Sequence, residues 1–315
     1  MDERWRLAKK ERALRIRAAM IQTIRLFFVT SEFLEVETPL RVPELAPESH
    51  IDAVRSGKYF LQTSPELCMK RLLAAGYSRL FQISKCFRRG ERGGLHLPEF
   101  TMLEWYEAGA DYRGLMDRCE DLIIYTARRL GMNEGIPLRD GRTLSLEKPW
   151  ERLDLSDAFR RYGSLSLREC LDRDCFEEVL TGEIEPNLGR DRPTFLYDYP
   201  VSLGSLARRK DGDGTLTERC ELYLDGIELA NGFSELNDAG EQRRRFEEEQ
   251  HARKERGQDA YPEPRRFLAS LSHMPESAGI ALGVDRLAML FSGVATIDEV
   301  VTFTPEELLG QRERP

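Results

Sequence analysis

Three glutamates recur at seven-residue intervals in one glycine-containing stretch of this 315-residue chain. They are Glu221, Glu228 and Glu235, in the segment ELYLDGIELANGFSELND. Three carboxylates held close together repel one another, so such a group needs a metal ion or ammonium groups to neutralise it. A seven-residue step along an extended strand reverses the face, so two strands would have to fold back at Gly226 or Gly232 to bring the acids together. A hairpin whose acids are simply solvated is the alternative.

Basic residues concentrate in a second stretch, the loop between two apolar, β-rich runs at 80–87 and 99–108. The two runs and the glycines between them predict an antiparallel hairpin with a long loop. Four basic residues give this loop a composition suited to binding phosphate: Arg88, Arg89, Arg92 and His96. A flexible surface turn is the alternative interpretation.

A third candidate lies near the end of the chain, where residues 277–293 predict a glycine-containing strand that runs into a helix. Asp285 lies at the expected start of that helix and Arg286 in its first turn. Cations stabilise the C-terminal end of a helix better than its N-terminal end, so Arg286 is a candidate to bind an anion. An ordinary ion pair with a neighbouring acid explains the arginine equally well.

Sequence periodicity predicts the elements that must position these residues. Helices are expected at 3–31, 112–129 and 239–257, with a helical insertion near 150–190. Strands are expected at 33–40, from 58 up to a helix-start signal at 63–66 that continues as a helix, and within 193–207, where a turn follows. The segment 239–257 is so highly charged that a solvated helix face is its simplest interpretation. No repeat or low-complexity linker divides the chain, so we expect a single domain over residues 1–315.

The composition of the chain limits the classes of function that it can have. Lys and Arg total 47 and Asp and Glu total 55, and the formal charge of −8 gives no long-range attraction to nucleic acid. The six cysteines are scattered without a CxxC pair, which indicates free thiols in a reducing cytoplasm rather than a zinc site. The first residues lack the apolar core of a signal peptide, and no run of 18 apolar residues exists. We therefore expect a soluble cytoplasmic protein with no membrane partner.

Three motifs together resemble a known family. FLEVETP (33–39), CFRR with HLPEFTMLEWY (86–89 and 96–106) and GIALGVDRLAML (279–290) look like motifs 1, 2 and 3 of the class II aminoacyl-tRNA synthetases. TSPEL (63–67) and GIELANGFSELND (226–238) are similar to lysyl-tRNA synthetase in particular. An OB-fold that reads the anticodon is not expected here. The chain therefore most closely resembles stand-alone lysyl-tRNA synthetase paralogues that modify elongation factor P with (R)-β-lysine.

The resemblance implies an α+β fold, an antiparallel sheet flanked by helices, with motif 1 at a homodimer interface. It also implies a two-step reaction that uses ATP and Mg²⁺. The carboxylate of (R)-β-lysine, or of lysine, attacks the α-phosphate of ATP and gives an adenylate. A lysine side chain of elongation factor P then attacks the adenylate and releases AMP. On this interpretation tRNA is an unlikely partner.

The resemblance further implies a role for individual residues, with Arg88 and Arg286 as the catalytic pair. Arg88 would hold the α-phosphate and the attacking carboxylate, and Arg286 the γ-phosphate. The implied ATP-binding residues are Arg88, Arg89, Gly90, His96, Leu97, Phe100, Glu228, Leu229, Gly283 and Arg286. The implied substrate-binding residues are Ser64, Pro65, Glu66, Glu104, Tyr106, Asn231, Glu235 and Ala281. The implied magnesium ligands are Glu221 and Glu228.

Three positions depart from the synthetase pattern. Gly90 stands where motif 2 usually has Glu, with Glu91 next to it, and Leu97 stands where an Asn usually contacts the nucleotide. Ala281 replaces a glycine, and its added methyl group could select between substrate isomers by roughly 1–3 kcal/mol. Two alternatives stay open at this point: a truncated lysyl-tRNA synthetase that acts on tRNA, and a non-catalytic paralogue that senses an amino acid.

Overall fold

The computed structural model describes residues 3–309, so residues 1–2 and 310–315 of the expected domain lie outside it. Its helices are α1 (Glu3–Thr30), α2 (Glu66–Ala74), α3 (Tyr112–Arg129), α4 (Leu155–Tyr162), α5 (Leu167–Asp172), α6 (Phe176–Val179), α7 (Ala239–Glu255), α8 (Arg265–Ser270), α9 (Val284–Ser292) and α10 (Pro305–Leu308). Its strands are β1 (Leu34–Glu35), β2 (Arg41–Val42), β3 (Arg55–Ser56), β4 (Tyr59–Leu61), β5 (Arg79–Phe87), β6 (Glu99–Ala108), β7 (Ile136–Pro137), β8 (Thr143–Leu144), β9 (Glu151–Asp154), β10 (Thr194–Pro200), β11 (Arg209–Lys210), β12 (Asp213–Leu224), β13 (Ile227–Ser234) and β14 (Ser277–Gly283).

A nine-stranded sheet forms the centre of this part of the chain, in the order β1-β5-β6-β14-β13-β12-β10-β9, with β11 beside β12. The central pairs are antiparallel, which confirms the α+β prediction. The pairs β1–β5 and β10–β9 are parallel, a feature of the sheet edges that the sequence did not predict. One face of the sheet packs on α1, α3 and α9 through the largest apolar cluster.

The motif-bearing elements lie close to their predicted bounds. β5 and β6 pair from Arg79–Glu107 to Phe87–Glu99, which confirms the long-loop hairpin. The predicted helix 112–129 is α3, and the predicted strand and helix of 277–293 are β14 and α9. The N-terminal helix is continuous through Thr30.

One predicted strand is shorter than expected. The strand predicted at 33–40 is reduced to β1, because Pro39 has no amide hydrogen and the amide of Thr38 bonds to the side chain of Gln82. The strand predicted from residue 58 is β4, which ends at Leu61, and the predicted helix start at 63–66 leads into α2. The insertion near 150–190 is mainly helical, as predicted, but its first residues form β9, and it has an apolar cluster of its own.

The charged helix α7 is not simply solvated, and that prediction was wrong for one of its faces. Arg253 is fully buried and donates to the carbonyl oxygens of Glu48 and Ile51 at 2.7 and 2.8 Å. It also bonds to Asp52 at 2.8 Å, while Glu249 accepts from the amide of Ser49 at 2.7 Å. Buried carbonyl groups need such donors, so α7 fixes the course of the loop 48–52.

Two findings concern the whole described region. No helix among residues 3–309 has the length and apolar character needed to cross a bilayer. All six cysteines lie in this range and are free thiols, as the sequence predicted.

Candidate active site

A cavity of about 700 Å³ lies on the face of the sheet opposite the largest apolar cluster. This volume is within the range of sites for cofactors and other small molecules. Most residues that the resemblance assigned to a site line the cavity: Ser64, Glu66, Arg88, His96, Leu97, Phe100, Glu104, Tyr106, Glu228, Leu229, Asn231, Ala281, Gly283 and Arg286.

The pairing register explains how residues from distant segments meet on one face. Glu221 of β12 pairs with Asn231 of β13, which pairs with Ala281 of β14, which pairs with Glu104 of β6. Side chains directly opposite one another across a sheet project from the same face. The four residues therefore form one row, in which Asn231, Ala281 and Glu104 lie on the floor of the cavity and Glu221 lies beneath Arg219.

A β-bulge solves the problem of the seven-residue spacing. Leu222 pairs with Ala230 and Tyr223 with Glu228, so Leu229 has no partner and the register shifts by one residue. Residues three apart on a regular strand project from opposite faces. The bulge adds one residue, so Glu228 and Asn231 project from the same face. Gly226 supplies the turn, with φ of +76°. Gly232 is not a turn residue but lies within β13, where a Cβ would collide with Ile280.

Arg88 lines the cavity and keeps hydrogen-bond donors available for a ligand. Its guanidinium lies 5.1 Å from the ring centre of Phe100 and only 3.7 Å from the carboxylate of Glu91. Its Nε has no hydrogen-bond partner among the described residues. A planar guanidinium with free donors is suited to binding a phosphate or carboxylate.

Arg286 is held by several acceptors. It donates to the carbonyl oxygen of Glu228 at 2.7 Å and to the Glu228 carboxylate at 3.2 Å. Its Nη2 lies 2.7 Å from His96 Nε2, and burial, followed by the positive charge of Arg286, lowers the pKa of His96. The imidazole is therefore neutral and accepts this hydrogen bond. We call Arg88, His96, Glu228 and Arg286 the basic end of the cavity.

Asp285 positions the helix that carries Arg286. Its carboxylate accepts from the amide of Thr101 at 2.7 Å and pairs with Arg17 of α1 at 2.8 Å. Asp285 is buried, so these partners satisfy a charge that would otherwise be costly. The start of α9 is thereby fixed against β6 and α1.

Glu104 lies at the opposite end of the cavity and is held by neutral donors. It accepts from Ser64 Oγ at 2.6 Å and from the Tyr106 hydroxyl at 2.8 Å, and it is 1% exposed. Burial, followed by the nearby Glu66 carboxylate, raises the pKa of Glu104 to about 7. A carboxylate in this state gains from an incoming cation.

Glu66 and Glu235 share a lysine that the sequence analysis missed. The ammonium of Lys70 lies 2.5 Å from Glu66 Oε1 and 2.5 Å from Glu235 Oε2. Lys70 and Glu235 are both almost completely buried, and Glu235 Oε1 has no hydrogen-bond partner among residues 3–309. Burial raises the pKa of Glu235 to about 8 even though Lys70 opposes the shift. We call Ser64, Glu66, Lys70, Glu104, Tyr106 and Glu235 the acidic end.

Asn231 lies between the two ends, and its orientation is fixed by Arg219. Arg219 Nε donates to Asn231 Oδ1 at 3.2 Å, so the amide nitrogen of Asn231 is the donor left for a ligand. Arg219 also lines the cavity, and the sequence analysis missed it. Its position two residues before Glu221 on the same strand face was the available signal.

Glycine and alanine shape the floor of the acidic end. A Cβ at Gly279 would overlap the ring of Tyr106 and the carboxylate of Glu235, so only glycine fits there. Ala281, two residues along the same face of β14, places its methyl group between Asn231 and Glu104. At Gly283 a Cβ would meet only the side chain of Arg286, at 3.6 Å, so the cavity is open there.

Glu221 and Glu228 have the chemistry of ligands for a hard divalent cation. Glu221 accepts from Tyr199, Tyr223 and Arg219 at 2.6, 2.8 and 2.6 Å, which leaves one of its roughly four acceptor positions. No group of three metal-ligating side chains occurs within residues 3–309. Two carboxylates suit an ion such as Mg²⁺, which takes most of its ligands from phosphate and water, and the magnesium site at this pair stays a prediction.

A few residues with implied roles lie outside the cavity. Arg89 pairs with Asp52 at 2.9 Å and its side chain is 59% exposed. Gly90 has a φ of +80° in the β5–β6 loop, a conformation that favours glycine over the expected Glu. Pro65 caps α2, Glu221 lies beneath Arg219, and Glu235 is a buried member of the acidic end that does not itself line the cavity.

Glu48 is a further lining residue that the sequence analysis missed. It belongs to the loop that Arg253 holds against α7. Burial raises the pKa of Glu48 to about 7, against the influence of Arg88. A position in a proline-containing loop gave no periodic signal from which to find it.

Comparison with known proteins gives a consistent result. The family model of class II tRNA synthetases (D, K and N) matches residues 3–307. A protein of Vibrio parahaemolyticus named elongation factor P–(R)-β-lysine ligase is 36% identical over 96% of this chain and 98% of its own. A protein of Pectobacterium carotovorum with the same name is 39% identical over 92% of this chain and 94% of its own. One of Proteus mirabilis, also with that name, is 38% identical over 91% and 93%.

Proposed function

Because the chain belongs to the class II tRNA synthetase family, and within it to the elongation factor P–(R)-β-lysine ligases, we propose that it activates (R)-β-lysine with ATP and transfers it to a lysine of elongation factor P. The single observation that carries this proposal is one cavity with a basic end and an acidic end. A nucleotide triphosphate suits the first, and a substrate with two ammonium groups suits the second.

The first step is adenylate formation. The carboxylate of (R)-β-lysine attacks the α-phosphorus of ATP, the bond to the β-phosphate breaks, and pyrophosphate leaves. Arg88 supports this step because its open guanidinium donors can bind the carboxylate and the α-phosphate together. Arg286, fixed by Glu228 and His96, is suited to the γ-phosphate.

The acidic end positions the amino acid for that attack. Glu104 and Glu235 are the buried carboxylates whose charge a substrate ammonium would neutralise. Asn231, with its oxygen engaged by Arg219, is suited to donate to the substrate carboxylate. The methyl group of Ala281 occupies the row between Asn231 and Glu104, where it can favour a β-amino acid over an α-amino acid.

The second step is transfer. The neutral ε-amino nitrogen of the acceptor lysine attacks the acyl carbon of the adenylate, AMP leaves, and an amide bond forms. The residues at the junction of the two ends, Arg88 and Asn231, would still hold the acyl group at this stage. Glu221 and Glu228 would hold a magnesium ion, which when bound supplies charge neutralisation for the phosphates.

Two further properties belong to this proposal. Motif 1 would form a homodimer interface, and the exposed side chains of Val29, Leu34 and Leu40 near it offer an apolar surface for that contact. The free thiols fit a reducing compartment such as the cytoplasm.

The test is direct. The chain is incubated with ATP, Mg²⁺, (R)-β-lysine and elongation factor P, and the intact mass of elongation factor P is measured. The expected result is a gain of one β-lysyl group, mapped to a single lysine by peptide mass analysis. No gain with either β-lysine or α-lysine contradicts the proposal, and charging of bulk tRNA by this chain alone would favour a tRNA substrate.

A further inference from the structure

Lys70 is the one cation inside the acidic end among the described residues. It extends from α2, is 1% exposed, and its ammonium lies 4.9 Å from the ring centre of Phe233. Burial alone lowers the pKa of a lysine, but the carboxylates of Glu235 and Glu66 outweigh it and raise the pKa of Lys70. The ammonium is therefore charged at neutral pH and is held between two carboxylates.

The charges of the acidic end do not balance without a ligand. The carboxylates of Glu66 and Glu104 line the cavity, that of Glu235 is buried directly beneath it, and only the Lys70 ammonium opposes these three charges. With all four groups ionised, the net charge is −3 + 1 = −2. Charges this deeply buried must be neutralised by counter-ions or by protons.

We propose that Lys70 is a specificity-determining residue: its ammonium fills one of three cation positions at the acidic end, which leaves room for a substrate with two ammonium groups. This inference rests on the proposed function and goes beyond it, because it predicts that the pocket rejects amino acids with a single amine. A mono-ammonium substrate leaves one buried carboxylate without a cation, so a proton must neutralise it.

Lys70→Met tests this inference through the Michaelis constant. Without the ammonium, Glu235 has no cation beside it and holds its proton to higher pH. We expect the KM for (R)-β-lysine in ATP–pyrophosphate exchange to rise about tenfold or more at neutral pH, with kcat changed much less. A rise of one unit in the pKa of a carboxyl group lowers its ionised fraction, and with it the affinity for an ammonium group, by up to about tenfold. The KM for 6-aminohexanoate, which has one amine, should change little, so discrimination falls.

The pH profile separates specificity from structure. In the wild type the KM for β-lysine should fall as the pH rises through the range in which the carboxylates ionise. In Lys70→Met the same fall should lie at higher pH. A purely structural lysine would leave the profile in place. Lys148→Met is the matched control, since Lys148 pairs with Asp121 at 2.7 Å outside the cavity.

A second variant covers the case in which Lys70→Met does not fold. Lys70→Ala leaves space for an added amine, and propylammonium should restore a low KM whereas propanol should not. Restoration by both compounds, an unshifted pH profile or unchanged discrimination contradicts the role of Lys70. Wild-type exchange that fails with every lysine-type amino acid contradicts the proposed function instead, so the two failures are distinguishable.

Discussion

At the basic end of the cavity the charged side chains keep part of their surface in water, whereas at the acidic end Lys70, Glu104 and Glu235 are almost completely buried and only Glu66 is partly exposed. Arg88 and Arg286 are 25% and 19% exposed, but Glu104 and Glu235 are 1% exposed. Phosphate groups can exchange ligands with water and metal ions, so a partly open basic end suits them. The ammonium groups of an amino acid have to be recognised by fixed, desolvated carboxylates. Binding at the basic end therefore depends on donors that the ligand can reach from water, whereas binding at the acidic end depends on the balance of buried charges.

The largest effect is expected from a substitution at the basic end. Arg88→Met should reduce pyrophosphate exchange by about 10²–10³-fold, mainly in kcat, because a preorganised donor to the developing charge is lost. Arg89→Met is the matched control, since Arg89 pairs with Asp52 and projects away from the cavity. Equal losses in the two variants would show that the loop, and not the Arg88 guanidinium, carries the effect.

A smaller loss is expected from the acidic end. Glu104→Gln keeps the shape and removes the charge, and its amide oxygen still accepts from one of the two hydroxyl groups of Ser64 and Tyr106. The KM for β-lysine should rise by about 10–100-fold, in line with roughly 1.5–3 kcal/mol for a charged hydrogen bond. Steady-state pyrophosphate exchange measures it, and the KM for ATP serves as the internal control because it should stay constant. An unchanged KM for β-lysine would remove Glu104 from substrate binding.

The substitution Ala281→Gly tests whether the methyl group of Ala281 selects between the β- and α-isomers of lysine. Removing the methyl group from the row between Asn231 and Glu104 should shift the ratio of kcat/KM toward α-lysine by roughly 1–3 kcal/mol. Pyrophosphate exchange with both isomers gives the ratio. If it does not move, Ala281 is not the selector.

The smallest effect is a pH dependence confined to the acidic end. The raised pKa values of Glu104 and Glu235, about 7 and about 8, mean that both carboxyl groups hold protons at pH 6. The KM for β-lysine should therefore fall between pH 6 and 8.5, while the KM for ATP should not follow it.

The raised pKa values also predict how the stability of the folded state changes with pH. A carboxyl group with a raised pKa favours the folded state at low pH, and this contribution is lost as the pH rises through the folded pKa. Bound β-lysine should therefore raise Tm more at pH 8.5 than at pH 6. An equal increase at the two pH values would contradict the excess of buried negative charge.

The sequence predicted the elements whose patterns are local. The hairpin of β5 and β6, the helix α3 and the β14–α9 unit all have regular spacing and motif residues. Family resemblance then indicated most residues that line the cavity. The shortening of β1 depended on the side chain of Gln82, which no local pattern shows.

The missed residues are those whose role depends on distant partners. Lys70 looked like an ordinary helix position until the fold placed Glu235 beside it. Arg253 looked like one charge among many on α7, but it is buried against the loop 48–52. The bulge at Leu229 is set by the pairing of β12 with β13, and it alone lets the spaced glutamates share a face. The individual roles in catalysis and binding stay predictions.

The central claim is that the acidic end selects a substrate with two ammonium groups, and ATP–pyrophosphate exchange tests it most directly. The wild-type chain is assayed with (R)-β-lysine, lysine, 6-aminohexanoate and hexanoate at one pH and one ionic strength. The account predicts that exchange is efficient with the two diammonium acids and falls steeply with each amine removed. Comparable kcat/KM values for β-lysine and 6-aminohexanoate would contradict it.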